Sequence, residues 1–350
     1  MSVVLSVSGG FSRSHRMQRL FRFFVLIVAL VVLPMACRAE WRAARVPTPT
    51  VTPASASALQ VFVEPDDGTR PVVSTLSAAF KSIRMEMYLL NDREIIDALK
   101  AARGRGVDVR VMLEPQPLGG GAGNRSAMNE LQAANVAVKP SNPAYKLTHA
   151  KMIVVDDRVA LIMTCNQTRA SFTNNREFGI INTDASDVAE IAAVFDADWN
   201  RTVPSVSSPN LMWSPLNARA RILTLIDSAQ QTLDIENEEM QDADVVARLV
   251  SAAQRGVAVR VEMSPASGGV DPNAPGQDKI TRGGVKLRLV KTPYIHAKMI
   301  VADDARAFVG SQNFSAASLD SNRELGILVS DPKIIQTLSV TFANDWNIGK

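Results

Sequence analysis

Two segments hold residue types at a spacing that chemistry can use: His149-Ala150-Lys151-Met152-Ile153-Val154-Val155-Asp156 and His296-Ala297-Lys298-Met299-Ile300-Val301-Ala302-Asp303. Each runs into a β-rich stretch, and residues two apart on a strand share a face. His149 and Lys151 therefore project together, as do His296 and Lys298, which pairs a nucleophile or proton donor with a cation. A second short apolar strand follows in each copy, Val159–Met163 and Ala305–Val309, and places Asn166 and Asn313 to offer amide donors to the same pocket. Glu177 and Glu324 sit in Asn175-Arg176-Glu177-Phe178-Gly179 and Asn322-Arg323-Glu324-Leu325-Gly326. A carboxylate that accepts a histidine Nδ1 proton leaves Nε2 free to act and stabilises the imidazolium. A lone strand histidine is more often structural, and a lone lysine is usually solvated. From Gln60 onward, however, there are only two histidines, and both open the same pattern. Asp156 and Asp303 each begin an Asp-Asp pair between strands, so they read as turn residues with a structural role. Tyr145 and Tyr294 precede the two histidines and belong either at the entrance of the site or in the core.

The elements that must position these residues are themselves duplicated. His149 and His296, Lys151 and Lys298, Asp156 and Asp303, Asn166 and Asn313, Glu177 and Glu324, and Trp199 and Trp346 are all 147 residues apart. Earlier in each copy, Glu86 and Glu236, and Arg105-Gly106-Val107 and Arg255-Gly256-Val257, are 150 apart, so a three-residue length change lies between. Each copy alternates helical and strand periods, which predicts an α/β unit. Ile95, Ile96, Leu99 and Ala102 have helical spacing, Gly104 and Gly106 end that helix, and Val107, Val109, Val111 and Leu113 alternate as a strand. Val245, Val246, Leu249 and Ala253, then Gly256, then Val257, Val259, Val261 and Met263 repeat the pattern. The Gly/Pro-rich stretches Pro115–Gly123 and Pro265–Gly276 lack a phosphate-loop spacing and read as flexible loops at the mouth of the site.

The 350 residues are 46% hydrophobic and 21% charged, enough to bury a core and to exclude disorder over most of the length. The formal net charge of +3 hints at an anionic partner, but its placement removes most of that hint. Seven arginines and one glutamate precede Gln60, which leaves 31 basic and 34 acidic side chains in the body. Residues 1–37 read as a secretory signal or an uncleaved N-terminal anchor, because the 14-residue apolar run Phe23–Ala36 is shorter than the roughly 20 residues of a membrane-spanning helix. Met17 begins a better-proportioned signal and is an alternative start. Leu33-Pro34-Met35-Ala36-Cys37 resembles a bacterial lipoprotein signal, from which Pro34 and Met35 depart, and that resemblance makes Cys37 a lipid anchor. Residues 38–59 form a Pro/Thr/Ser/Ala-rich linker, extended and solvated. Export or membrane anchoring on the extracytoplasmic side, or secretion, is the expected location. Cys165 is the one other cysteine, so no disulfide framework exists and a buried free thiol is expected there.

The doubled HxKxxxxD pattern, followed by Gly310-Ser311-Gln312-Asn313 in copy two and Met163-Thr164-Cys165-Asn166 in copy one, resembles the phospholipase D superfamily from about Gln60 to Asn347. Copy one departs at Met163, where Gly is usual, which would narrow the first half-site. The resemblance implies two phospholipase D-like α/β halves, residues 60–203 and 204–350, each a mixed β-sheet flanked by helices and related by a pseudo-twofold axis, with both motifs meeting in one cleft. It further implies phosphodiester chemistry. Lys151, Lys298, Asn166 and Asn313 would hold the nonbridging oxygens, His149 would form a phosphohistidine, and His296 would act as general acid and base. No cofactor or metal is implied. An anchored body favours a phospholipid substrate, and headgroup-releasing hydrolysis is the leading expectation, with transfer to an alcohol as a further outcome. A cardiolipin synthase-like phosphatidyltransferase and an endonuclease are the alternatives, and a non-catalytic envelope lipid-binding protein stands behind them. A body with more acids than bases disfavours nucleic acid. Arg282, Lys286, Arg288 and Lys291 are a local basic patch whose alternation with Val285, Leu287 and Leu289 also reads as an exposed strand face. The internal duplication suggests a complete site in a monomer.

Overall fold

The computed structural model describes residues 57–118 and 123–350, so the leader, Cys37 and most of the linker lie outside the described residues. The first half runs β1 (Leu59–Glu64), α1 (Arg70–Ser77), β2 (Ser82–Met87), α2 (Arg93–Gly104), β3 (Asp108–Leu113), α3 (Arg125–Ala133), β4 (Ala137–Pro140), β5 (Lys151–Val155), β6 (Val159–Met163), α4 (Arg169–Thr173), β7 (Asn175–Asn182) and α5 (Ala185–Asn200). The second runs β8 (Leu211–Ser214), α6 (Ala218–Ser228), β9 (Thr232–Glu236), α7 (Ala243–Gln254), β10 (Ala258–Met263), α8 (Ala274–Arg282), β11 (Lys286–Leu289), β12 (Tyr294–Ile295), β13 (Met299–Ala302), β14 (Arg306–Gly310), α9 (Ala316–Asp320), β15 (Glu324–Val329) and α10 (Pro332–Ile348).

Both sheets are mixed and carry the same strand order. In the first it is β4-β3-β2-β5-β6-β7-β1, and in the second β11-β10-β9-β13-β14-β15-β8. The three strands at one end of each sheet are parallel and the rest antiparallel. The parallel part follows from the helices that return the chain between strands. Asp92 caps α2 by accepting from the Glu94 and Ile95 amides, and Asp242 caps α7 by accepting from Asp244 and Val245. The buried faces are Ile95, Ile96, Leu99 and Ala102 in α2 and Val245, Val246, Leu249 and Ala252 in α7. Ala252, not Ala253, thus completes the second face, since it lies 150 residues after Ala102. Gly106 and Gly256 follow with φ of 92°, a left-handed conformation that favours glycine.

Three apolar cores result. One packs each sheet against its own outer helices. The third is shared: Met152, Ile162, Phe178 and Phe195 of the first half meet Trp213, Met299, Leu325 and Phe342 of the second. The two sheets therefore pack face to face, with α5 and α10 closing the shared layer. All described residues belong to one compact unit. Residues 274–276, expected in a loop, begin α8, where Gly276 lets the helix approach the Met240 carbonyl oxygen closer than a Cβ would allow. Among the described residues no helix is long and apolar enough to cross a membrane.

Candidate active site

The shared layer exchanges backbone between halves just where the motifs lie. The amides of His149 and Ala150 both donate to the Arg323 carbonyl at 2.9 Å, and Arg323 N donates to Leu147 O at 2.9 Å. Reciprocally, Tyr294 N donates to Asn174 O at 3.0 Å and His296 N to Arg176 O at 3.3 Å, with β12 pairing parallel to β7. Side chains lock the same crossing. Arg323 Nε lies 2.8 Å from Asp198 Oδ2, and Arg176 Nε 2.5 Å from Asp345 Oδ2, all four residues being buried. Residue i meeting j while the equivalent j meets i is what a local twofold produces.

This crossing decides which carboxylate serves which histidine. His149 Nδ1 is 2.8 Å from Glu324 Oε2 of the second half, and His296 Nδ1 is 2.7 Å from Glu177 Oε1 of the first. Each glutamate is fully buried and held in turn. Ser318 Oγ donates to Glu324 Oε1 at 2.6 Å, with Asn322 Nδ2 at 3.2 Å, while Thr164 Oγ1 donates to Glu177 Oε2 at 2.6 Å. Burial alone pushes the Glu177 carboxyl up, but His296, Lys298 and the Thr164 hydroxyl hold it below its ordinary value. Glu324 is held down likewise by His149, Lys151 and the Ser318 hydroxyl.

His149, His296, Asn166, Asn313 and Glu324 line one cleft of about 340 Å³. Burial, with Lys151 and Lys298 nearby, outweighs Glu324 and lowers the His149 pKa below its ordinary value, which favours the neutral ring. Its Nδ1 proton goes to Glu324, so Nε2 carries the lone pair. Lys151 is buried, donates to the His149 carbonyl at 2.6 Å, and is depressed to about 7 by desolvation, with Lys298 adding repulsion. Lys298 Nζ donates to the His296 carbonyl at 2.5 Å and to Glu238 Oε2 at 3.0 Å. The Oδ1 atoms of Asn166 and Asn313 are buried without a protein partner. A cleft lined by two histidines and two side-chain amides, with Lys151 and Lys298 buried beside the histidines, suits an anion that undergoes substitution at its centre.

The other sequence expectations fall outside the cleft. Asp156 accepts the backbone amides of Phe80, Lys81 and Ser82 at 2.7–3.3 Å, and Asp303 accepts those of Gln230, Gln231 and Thr232 at 2.7–2.9 Å. Tyr145 is corrected: its ring stacks on the Arg323 guanidinium at 4.1 Å and its hydroxyl accepts from Nη2, so it braces the crossing and does not line the entrance. Tyr294, 38% exposed, lines an adjoining groove with Glu238, Glu239 and Asp271. Met163 does not narrow the half-site, because its side chain packs in the first half's own core beside Cys165. Cys165 is a buried free thiol, pushed up by desolvation. The basic patch is partly consumed, since Arg282 pairs with Asp278 at 2.8 Å and Arg288 stacks on Trp346 at 4.7 Å.

Two residues escaped the sequence reading. Glu238 enters the cleft beside His296 and Lys298, and Tyr88 sets its ring edgewise on His149 at 4.6 Å between centroids, under Lys151 Nζ at 5.1 Å. They are 150 residues apart, so the offset that matched Glu86 to Glu236 also makes them equivalents; dissimilar residues at equivalent positions were the available signal. Among the described residues, only Glu236, Glu262 and Asp345 group closely enough to hold a metal ion. Arg176 already occupies Asp345, and burial lifts Glu236 well above the carboxylate range and Glu262 to about 10, so protons neutralise this cluster.

Comparison with known proteins agrees with the doubled fold. The family model described as "Cardiolipin synthase, PLD-like domain" matches residues 72–199 and again 222–346. Phospholipase D Z of Dictyostelium discoideum is 31% identical over 133 residues, 36% of this chain and 30% of that protein. Major cardiolipin synthase ClsA of Bacillus subtilis (strain 168) is 22% identical over 349 residues, 84% of this chain and 70% of that protein. The chain thus spans from under a third to about two thirds of these curated relatives. The solved phosphatidylserine synthase of Haemophilus influenzae Rd KW20 shares the fold with a TM-score of 0.65 at 14% identity, over 85% of this chain and 88% of that one. One family match in each half, over sheets of identical strand order whose motifs converge on one cleft, makes this chain a member of the phospholipase D superfamily.

Proposed function

We propose that the protein is a phosphatidyltransferase of the cardiolipin synthase type, acting through a covalent phosphohistidine. The crossed His149–Glu324 and His296–Glu177 pairs around one anion cleft carry this reading. Lys151, Lys298, Asn166 and Asn313 hold the phosphodiester oxygens and stabilise the charge that develops on them. His149 Nε2 attacks phosphorus, the bond to the departing alcohol oxygen breaks, and His296 gives that oxygen its proton. His296 then takes the proton of an incoming hydroxyl, whose oxygen attacks phosphorus as the P–N bond breaks. Water in the acceptor's place gives hydrolysis, the outcome the sequence reading had put first. The family match and the relative named as a cardiolipin synthase support transfer ahead of it.

The proposal includes a membrane tether through the N-terminal segment and a single chain that supplies both half-sites. The full chain in phosphatidylglycerol vesicles is expected to form cardiolipin and glycerol in equal amounts, with His149→Ala inactive. Phosphatidate formation without cardiolipin would move the reading to a hydrolase, and cleavage of single-stranded DNA without lipid turnover would replace it with a nuclease.

A further inference from the structure

Glu238 breaks the symmetry of the cleft. Its Oε2 lies 3.0 Å from Lys298 Nζ, 3.3 Å from His296 Nε2 and 3.4 Å from Asn313 Nδ2. These are the donors that would receive an oxygen of a bound diester, so carboxylate and phosphoryl group compete for one place. We propose that Glu238 is a built-in anion that fills the phosphoryl cradle between turnovers and is displaced when the diester binds.

This inference rests on the phosphohistidine reading and adds to it a residue and a binding mode. His296 has a carboxylate at each ring nitrogen, Glu177 at Nδ1 and Glu238 at Nε2. The two carboxylates stand at 2.7 Å and 3.3 Å from the ring, so His296 lies between two anions. The titratable groups around it are Glu177 from β7, Glu238 and Glu239 from the turn after β9, Lys298 beside it, and His149, Lys151 and Glu324 across the cleft. His149 has no second carboxylate. The equivalent position is Tyr88, whose ring edge and face pack on His149 and Lys151 and whose hydroxyl accepts from the Leu118 amide at 2.5 Å. The two histidines thus stand in different surroundings, with a carboxylate beside His296 and an aromatic ring edge beside His149. Glu238 sits on the turn two residues beyond the end of β9, with its side chain 28% exposed. Its carboxyl is held well below its ordinary range by His296 and Lys298 despite burial, so it is a charged competitor.

Displacement has a measurable price. A cradle occupied by its own carboxylate nine-tenths of the time binds an external anion about tenfold more weakly than an open one. The test uses the full-length protein and inorganic phosphate, with no lipid. Glu238→Gln, which keeps size and removes charge, is expected to bind phosphate about tenfold more tightly than wild type at pH 7. Adding Lys298→Met should abolish that gain, because the gain arises in the cradle. Equal phosphate affinity in wild type and Glu238→Gln, or a gain that survives Lys298→Met, would overturn the proposal. Should Glu238→Gln fail to fold, Glu238→Asp, one methylene too short to reach all three donors, carries the same measurements. None of these readouts needs a phospholipid, so they succeed or fail independently of whether the substrate is phosphatidylglycerol.

Discussion

Replacing Glu324 with Gln and, separately, Glu177 with Gln tests the division of labour between the histidines. Each change keeps a hydrogen-bond acceptor near Nδ1, at 2.8 Å for Glu324 and 2.7 Å for Glu177, and removes one buried negative charge. When His149 bonds to phosphorus its ring becomes cationic, and a carboxylate about 4 Å from the ring centre stabilises that charge by about 4 kcal/mol at an effective dielectric near 20. The retained amide bond and relaxation recover part of this, which leaves about 3–4 kcal/mol, or roughly 10²- to 10³-fold in the rate of phosphoenzyme formation. Loss of Glu324 also removes the group that raises the His149 pKa, so the resting ring stays neutral and the whole penalty falls on the transition state. The assay is the nitrophenolate burst from a phosphatidyl p-nitrophenol ester, which reports the first step alone. Its leaving group needs little protonation, so Glu177→Gln, which acts through the acid His296, should slow the burst less than about tenfold. Glu324→Gln should slow it by the full factor. With an ordinary alkyl headgroup both variants should be slow. Equal burst losses in the two variants, or a larger loss in Glu177→Gln, would refute the assignment of His149 as nucleophile.

Lys151 is depressed to about 7, so kcat/KM should fall as pH rises through that value and the free protein loses a cation, whereas kcat should fall only at higher pH because bound phosphate retains the proton; a limb unmoved in Lys151→Arg would contradict this. Asp156→Ala should leave three backbone amides unpaired and cost about 2–4 kcal/mol in denaturant unfolding, while kcat of the folded fraction stays near wild type. Arg323→Met strands a buried Asp198 and should cost about 3–5 kcal/mol, part of which Asp198→Asn restores in the double variant. A double variant less stable than Arg323→Met would show that the pair is not the unit of stability.

The duplication, the α/β alternation and the histidines and asparagines that meet in the cleft were legible because each depends on residue type at a fixed offset. His149 and Lys151 stand two apart before a strand, and the same pair recurs 147 residues later. Which glutamate orients which histidine was not legible. Glu177 is 28 residues from His149 and Glu324 is 28 from His296, so chain distance suggests pairing within a copy, and only the exchanged backbone bonds of Arg176 and Arg323 show that it runs between copies. Tyr145 was left between the entrance and the core for a related reason. Its place four residues before His149 suggested the entrance, but Arg323 arrives from the other half and takes its hydroxyl. Glu238 was hidden because no copy-to-copy identity marks it.

That last point bears on how a duplicated chain builds an asymmetric catalyst. The ionisable side chains that pair reciprocally in the crossings are the same in both copies: His149 and His296, Glu324 and Glu177, Arg323 and Arg176, Asp198 and Asp345. A change at one of these positions breaks one of two equal contacts that hold the halves together, so the crossing leaves little room for difference. Yet a nucleophile and an acid need opposite protonation states. The difference must therefore come from positions outside the crossings, of which Met163 and Gly310, Met112 and Glu262, and Tyr88 and Glu238 are examples. The first two pairs do not line the cleft: Met163 and Met112 pack in cores, and Glu262 is buried beside Glu236. Tyr88 and Glu238 alone among these pairs face the reacting rings, with an aromatic edge on His149 and a carboxylate on His296. A symmetric frame thus fixes where the two imidazoles stand, and unmatched side chains such as Tyr88 and Glu238 give each of them different surroundings.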